Sequence, residues 1–263
     1  METGQPYLMQ LNNKQITQND LSILILKDGF SFCTLDQHHF LPLEKDFPTL
    51  ESLKSYLDYH QLYQKEVQLI FIDHTAVCVP KSLFDPVQTN HYFKGAVTLP
   101  KKASIKYTDL PTLDMKVVYP CDQQIIDLFK GVFPQLKVNH LIGTLLPALS
   151  SFSFGAAKKN MFLHLRKDQF DLLLFQGGQL LVQNTFPHKN ADDFLYYLFY
   201  LTEQFFLKPE QFNLFFLGRY SNFNEYYQGV EEFHPSIDYI DPQYPPNVDS
   251  IHPVPFFQSF FLA

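Results

Sequence analysis

The chain has no tryptophan and only three cysteines in 263 residues. Cys33, Cys78 and Cys121 form no C-x-x-C pair, and Cys33 and Cys78 sit inside apolar runs. An odd, scattered set of this kind excludes a disulfide framework and reads as buried free thiols in a reducing compartment. Basic charge is also scarce: 20 Lys and Arg stand against 27 Asp and Glu, for a net charge of −7. That balance argues against a general nucleic-acid binder, which needs a basic face to neutralise phosphates. The pairs Lys101-Lys102 and Lys158-Lys159 are too small to reverse it and read as solvated loop charges. No run reaches the roughly 18–20 apolar residues of a membrane helix. Residues 1–20 are polar, so no signal peptide and a cytoplasmic location are expected.

Aromatic and aliphatic residues are plentiful instead, with 28 Phe, 15 Tyr and 46% hydrophobic residues overall. Such a composition is globular, and the length suits one large domain or two of ordinary size. Two stretches 140 positions apart read as the same unit. Leu21-Ser22-Ile23-Leu24-Ile25-Leu26-Lys27-Asp28-Gly29-Phe30 and Met161-Phe162-Leu163-His164-Leu165-Arg166-Lys167-Asp168-Gln169-Phe170 are each an apolar strand, a Lys-Asp turn and a Phe opening the next strand. In each case a third strand, an amphipathic helix and a fourth strand follow.

In the first half, strands are expected at residues 21–26, 30–35, 40–43, 67–73 and 76–79. Asp28-Gly29 makes a hairpin because glycine tolerates positive φ. A helix runs from Pro48-Thr49 to about Tyr63. Residues 81–113 read as an insertion decorating this half, with a short helix near 82–92 and a loop around Pro100 and Pro111. A strand at 115–119 follows, then a helix opened by Pro120-Cys121-Asp122 with Ile125, Ile126, Phe129 and Val132 on its apolar face. Next come a strand at 136–138 and a helix at 140–152, kinked or started late by Pro147. Residues 150–160 are the best linker, which divides the chain into 1–155 and 156–263.

The second half has expected strands at 161–165, 170–175, 179–186 and 212–217, with Gly177-Gly178 as a turn. Asn190 caps a helix to about Phe206 whose inner face is Phe194, Tyr197, Leu198, Leu201 and Phe205. Tyr56 aligns with Tyr196, and the fourth strands align five positions further apart, so the second half is expected to gain residues after its helix. Beyond Gly218 lies an aromatic region, then a Pro-rich tail.

Two tandem β-β-β-α-β halves resemble the actin-like ATPase superfold, a duplicated ribonuclease-H-like α/β domain. More specifically, the chain resembles an uncharacterised bacterial family assigned that fold. The likeness rests on Leu21-Ser22-Ile23 through Asp28-Gly29-Phe30-Ser31, on Phe133-Pro134, and on Asn184-Thr185-Phe186 through Asp193-Phe194-Leu195-Tyr196-Tyr197. It covers about residues 15–240. More distantly the layout is similar to bacterial actin-like proteins of cell division and pilus assembly.

The resemblance implies where catalysis would sit. ATP-hydrolysing members of the superfold close the first strand of each half with an Asp that organises Mg²⁺ and water, followed by a Gly turn that cradles phosphates. The matching positions here are Leu26 and Arg166, so the carboxylate is missing from both. The second turn has Gln169 in place of its Gly, and the paired glycines after the fourth strand shrink to Gly218-Arg219. Hydrolysis is not expected, and a ribonuclease-H nuclease fails for want of the same carboxylates. His164 reads as a hydrogen-bonded core residue, His38-His39 as a solvated pair, Asp192-Asp193 as helix capping, and Asp28 and Asp168 as turn residues.

The expected role is therefore that of a non-catalytic interaction or scaffold module, with no cofactor and no metal. It would bind a protein partner or a second copy of itself, and could sit beside an inner-membrane assembly. Candidate partner-binding residues are Arg219, Tyr220 and the tail phenylalanines Phe256, Phe257, Phe260 and Phe261. The alternative is a nucleotide switch binding ATP with Mg²⁺ in a cleft between the halves, through Lys27, Lys167 or Arg219.

Overall fold

Strands whose residues are apolar on both faces need cover on both sides, and this chain has two sets of them. The structure is a computed structural model and describes residues 20–34, 37–43, 48–64, 66–95, 99, 103–153 and 155–240. In chain order the first part runs β1 (Asp20–Leu26), β2 (Gly29–Cys33), β3 (His38–Pro42), α1 (Leu50–Tyr59), β4 (Glu66–Phe71), β5 (Val77–Pro80), β6 (Ala103–Leu110), β7 (Met115–Asp122), α2 (Gln123–Lys130), β8 (Lys137–His140) and α3 (Leu141–Ser153). The rest runs β9 (Lys159–Leu165), β10 (Gln169–Gln176), β11 (Gln179–Pro187), α4 (Ala191–Gln204), β12 (Phe212–Leu217), α5 (Asn224–Glu231) and β13 (Ile237–Ile240). Two compact units divide inside α3, between Pro147 and Ala148.

Each unit is built on a five-stranded mixed sheet, and the strand orders match: β3-β2-β1-β4-β8 and β11-β10-β9-β12-β13. In both, the first three strands are antiparallel and the fourth and fifth run parallel to the first. Ile25 faces Phe30 as Leu165 faces Phe170. In the first unit Leu53 and Leu57 of α1 and Ile125, Ile126 and Phe129 of α2 are buried, with Phe129 edge-on to Phe30 at 5.1 Å. In the second, Phe194, Leu198 and Leu201 of α4 join Tyr226, Tyr227 and Val230 of α5 over β9, β10 and β12. Thr49 and Asn190 cap α1 and α4 by accepting the amides of Ser52 and Asp193.

Several expectations are corrected. The loop expected around Pro111 contains β6, which pairs along its whole length with β7. Its residues are mostly half-buried, so no strong apolar alternation marks it. With β5 it makes a separate three-stranded sheet, order β5-β7-β6, inserted between β4 and α2. The short helix near 82–92 is two 3-10 segments, Lys81–Leu83 and Pro86–Phe93. Pro120 and Cys121 belong to β7, and Asp122 caps α2 through its carboxylate. α3 continues through Pro147. The aromatic stretch after Gly218 contains α5 and β13.

Tyr56 does not match Tyr196. Both α1 and α4 end on a non-glycine residue with positive φ, Gln61 and Phe206, which lie 145 positions apart. Counted from the N-caps Thr49 and Asn190, 141 positions apart, Tyr56 matches Tyr197, and the buried Leu53 and Leu57 match the buried Phe194 and Leu198. The first-sheet pair Gly29–Pro42 likewise matches Gln169–Pro187. The second half is therefore longer in its β10–β11 hairpin and at the C-terminal end of α4, and its fourth strand opens one position further on, Phe212 lying 146 positions after Glu66.

Gly29 also has a different reason from the expected one. It is not among the glycines with positive φ. A Cβ there would overlap the Phe40 ring and lie 2.5 Å from the Leu41 carbonyl oxygen, so the position needs glycine for close approach.

Candidate functional site

The turns after β1 and β9 are built alike. The Asp28 carbonyl accepts the amide of Leu43, and the Asp168 carbonyl accepts the amide of His188. Both acceptors tie the turn to the residue just past the third strand. Lys27 and Lys167 are exposed on these turns. Lys27 lies near His74, whose imidazole is pushed to lower pKa by burial and by the Lys27 charge and is raised in part by Asp122.

The strand interiors differ. In the first unit a cross-strand row reads Leu24, Ser31, Phe40, and β1 closes on Leu26. In the second the matching row is His164, Asp171, Thr185, and Arg166 follows β9. Arg166 Nη2 donates to Asp171 Oδ1 at 2.8 Å, Thr185 Oγ1 donates to the same oxygen at 2.7 Å, and His164 Nδ1 donates to Oδ2 at 3.1 Å. The Arg166 and Asp171 side chains are 8% and 1% exposed, so this is a buried ion pair.

Burial alone would raise the Asp171 carboxyl, but the Arg166 charge and the His164 and Thr185 hydrogen bonds hold it well below the usual carboxylate range. Burial lowers the His164 pKa against the pull of Asp171, so the ring is neutral with its proton on Nδ1. The set is a guanidinium, a carboxylate and a neutral imidazole, with no net charge.

A second layer extends it. His188 Nε2 lies 2.8 Å from the Arg166 carbonyl, which can only accept, so Nε2 carries the proton. Its Nδ1 then accepts the Tyr226 hydroxyl at 3.0 Å. The end of β9 is thereby fixed to α5 through His188.

The residues singled out in the sequence are placed as follows. Lys167 and Arg219 both follow the C-terminal end of the parallel pair β9 and β12. Arg219 stacks its guanidinium over the Tyr239 ring at 4.8 Å. Tyr220 folds back over Gly218, where its ring fills the space a Cβ would take, and its backbone amide donates to the Tyr227 hydroxyl. Phe256, Phe257, Phe260 and Phe261 lie outside the described residues. His38 and His39 are not a solvated pair: both lie on β3, His38 is buried with its Nε2 2.9 Å from Ser31 Oγ, and His39 meets the His60 imidazole at 4.1 Å between ring centroids.

Sequence reasoning took His164 and Arg166 singly and missed Asp171, Thr185, His188 and Tyr226. The available signal was the spacing of His164 and Arg166, two apart and so on one face of an otherwise apolar strand.

A divalent magnesium ion needs oxygen ligands, and Arg166 offers five donors and no acceptor at the strand end. Asp171 is engaged by three protein donors. The residues present do not fit the metal that hydrolytic members of the fold use, and no group of three His, Cys, Asp or Glu among the described residues could hold one. Cys33, Cys78 and Cys121 are free thiols, and no described helix is long and apolar enough to cross a membrane.

The family model described as a protein of unknown function, DUF3822, matches residues 9–237. The chain belongs to that family. Among solved structures, this family member is similar to a Bacteroides thetaiotaomicron protein with an actin-like ATPase fold and unknown function. The two are 21% identical, the match covers 97% of this chain and 99% of the other, and the TM-score is 0.74. With the matched strand orders, that likeness gives the family member the actin-like ATPase fold. More distant similarities are to the PilM–PilN complex of type IV pilus biogenesis (11% identity, 84% and 88% covered, TM-score 0.49) and to the apo ParM protein of pSK41 (8% identity, 92% and 94% covered, TM-score 0.37). Nothing functional rests on those two. Among curated proteins, none matches the chain.

Proposed function

We propose that this protein is a non-hydrolysing member of the actin-like ATPase fold that acts in the bacterial cytoplasm as an interaction or scaffold module. The observation that carries this reading is the buried Arg166–Asp171 pair. A guanidinium stands where the hydrolytic relatives have a metal-organising carboxylate, and the nearest carboxylate is consumed in neutralising it. Leu26 at the equivalent place in the first unit supplies no ligand either. The charges of Arg166 and Asp171 neutralise each other within one sheet, and His188 ties the end of β9 to Tyr226 of α5.

Calorimetric titration of the full chain with ATP and Mg²⁺ tests it. The expected result is no binding tighter than about 100 μM, an affinity of roughly −5.5 kcal/mol. Tighter binding that disappears in Lys167→Ala or Arg219→Ala would replace the scaffold reading with a nucleotide switch.

A further inference from the structure

The layer that α4 and α5 form over the second sheet has one sign of charge. The two helices carry Asp192, Asp193, Glu203, Glu225 and Glu231 and not one Lys or Arg. They are in direct contact, since a Cβ on Gly229 of α5 would strike Leu195 of α4, and just past α5 Phe233 meets Phe199 edge-on at 4.5 Å.

On the outer face of α4, Asp192, Tyr196, Tyr200 and Glu203 follow helical spacing and form one stripe. Tyr196 is 64% and Tyr200 49% exposed, with near-parallel rings 6.3 Å apart. The hydroxyl of Tyr200 accepts from Gln204, and Tyr196 rests edge-on against Tyr197, which stacks on Phe186 of β11. Gln204 and Tyr197 thus hold the two rings side by side on the exposed face of α4. Beyond the stripe, Phe233 is 55% exposed. Exposed Lys189 precedes the N-cap of α4 and Lys208 follows the end of the helix, while Arg219 is stacked on Tyr239.

We infer that this face docks an arginine- or lysine-bearing segment of a partner protein, with the cationic heads over Tyr196 and Tyr200 and their charge matched by Asp192 and Glu203. Exposed tyrosine faces attract cations, and the negative field of the two helices raises the local concentration of a basic segment. An acidic or neutral partner would gain neither. This deepens the scaffold reading, on which its biological meaning rests.

The test uses the full chain and a fluorescein-labelled peptide of arginine and leucine, beside a matched peptide with glutamate for arginine, read by anisotropy. The arginine peptide binds and the glutamate peptide does not. Tyr196→Ser with Tyr200→Ser weakens binding about tenfold, as expected for two lost cation–π contacts. Asp192→Asn with Glu203→Gln flattens the fall of affinity with salt, and it serves as the independent variant should the tyrosine pair unfold. Equal binding of both peptides, no binding of the arginine peptide, or undiminished binding by both double variants would overturn the proposal. Nucleotide does not enter this assay, so its outcome is separate from that of the ATP titration.

Discussion

Replacing Asp171 with Asn should be among the most damaging single changes in the second unit. The substitution keeps size and shape and removes only the charge. Arg166, with 8% of its side chain exposed, then holds an uncompensated guanidinium in the sheet. One amide NH₂ also faces the His164 Nδ1–H or the Arg166 donors, so a donor meets a donor where a carboxylate oxygen accepted. Breaking one partner of a buried ion pair costs about 3–5 kcal/mol. For a chain of this size that lowers the melting temperature by about 6–20 °C.

The comparison that isolates charge from packing is already present in the first unit. Leu24, Leu26, Ser31 and Phe40 occupy the matching positions. Transplanting them as His164→Leu, Arg166→Leu, Asp171→Ser and Thr185→Phe removes every member of the network together. Replacing a whole buried ionic set by residues of suitable volume is often neutral or stabilising. The fourfold variant should therefore exceed Asp171→Asn in stability by about 2 kcal/mol or more. Urea unfolding followed by far-UV circular dichroism at pH 7 gives both values. A loss below about 1 kcal/mol for Asp171→Asn would show that water reaches Arg166 and that the pair is an ordinary surface bridge.

Acid should destabilise the protein in two steps. His39, His74, His164 and His188 all have folded pKa values lowered chiefly by burial, so their unfolded forms take up protons first. Their contribution is intact above about pH 6.5 and is lost as pH falls below it; Asp171, also depressed, adds a second loss below about pH 3.9. Melting temperatures from pH 8 to 4 should fall monotonically and fall less in His164→Gln, and a rise between pH 7 and 5 would contradict the neutral-imidazole assignment. Gly29→Ala should cost about 2 kcal/mol through overlap with Phe40 and Leu41, while Gln169→Ala in the matching turn should cost much less. Equal urea midpoints for the two variants would refute close approach as the role of Gly29.

The sequence by itself determined the repeating elements. The runs of β1 and β9, the Lys-Asp turns and the capped helices α1 and α4 are local signals. Apolar spacing and a capping Thr49 or Asn190 need no distant partner to be read. The same locality made the absence of a carboxylate at Leu26 and Arg166 legible.

Tertiary structure alone decided what surrounds Arg166. Asp171 lies on β10 and Thr185 on β11, and only the antiparallel register sets them beside His164. β6 escaped notice because its half-exposed residues carry little apolar periodicity, and its pairing with β7 supplies the order that its own pattern lacks. The match of Tyr56 with Tyr196 failed for a related reason: hairpin and connecting-loop lengths changed together, and the buried faces of α1 and α4 set the register at Tyr197. A charge buried in a sheet is stabilised by neighbours far along the chain, so its meaning appears when the strands are laid side by side.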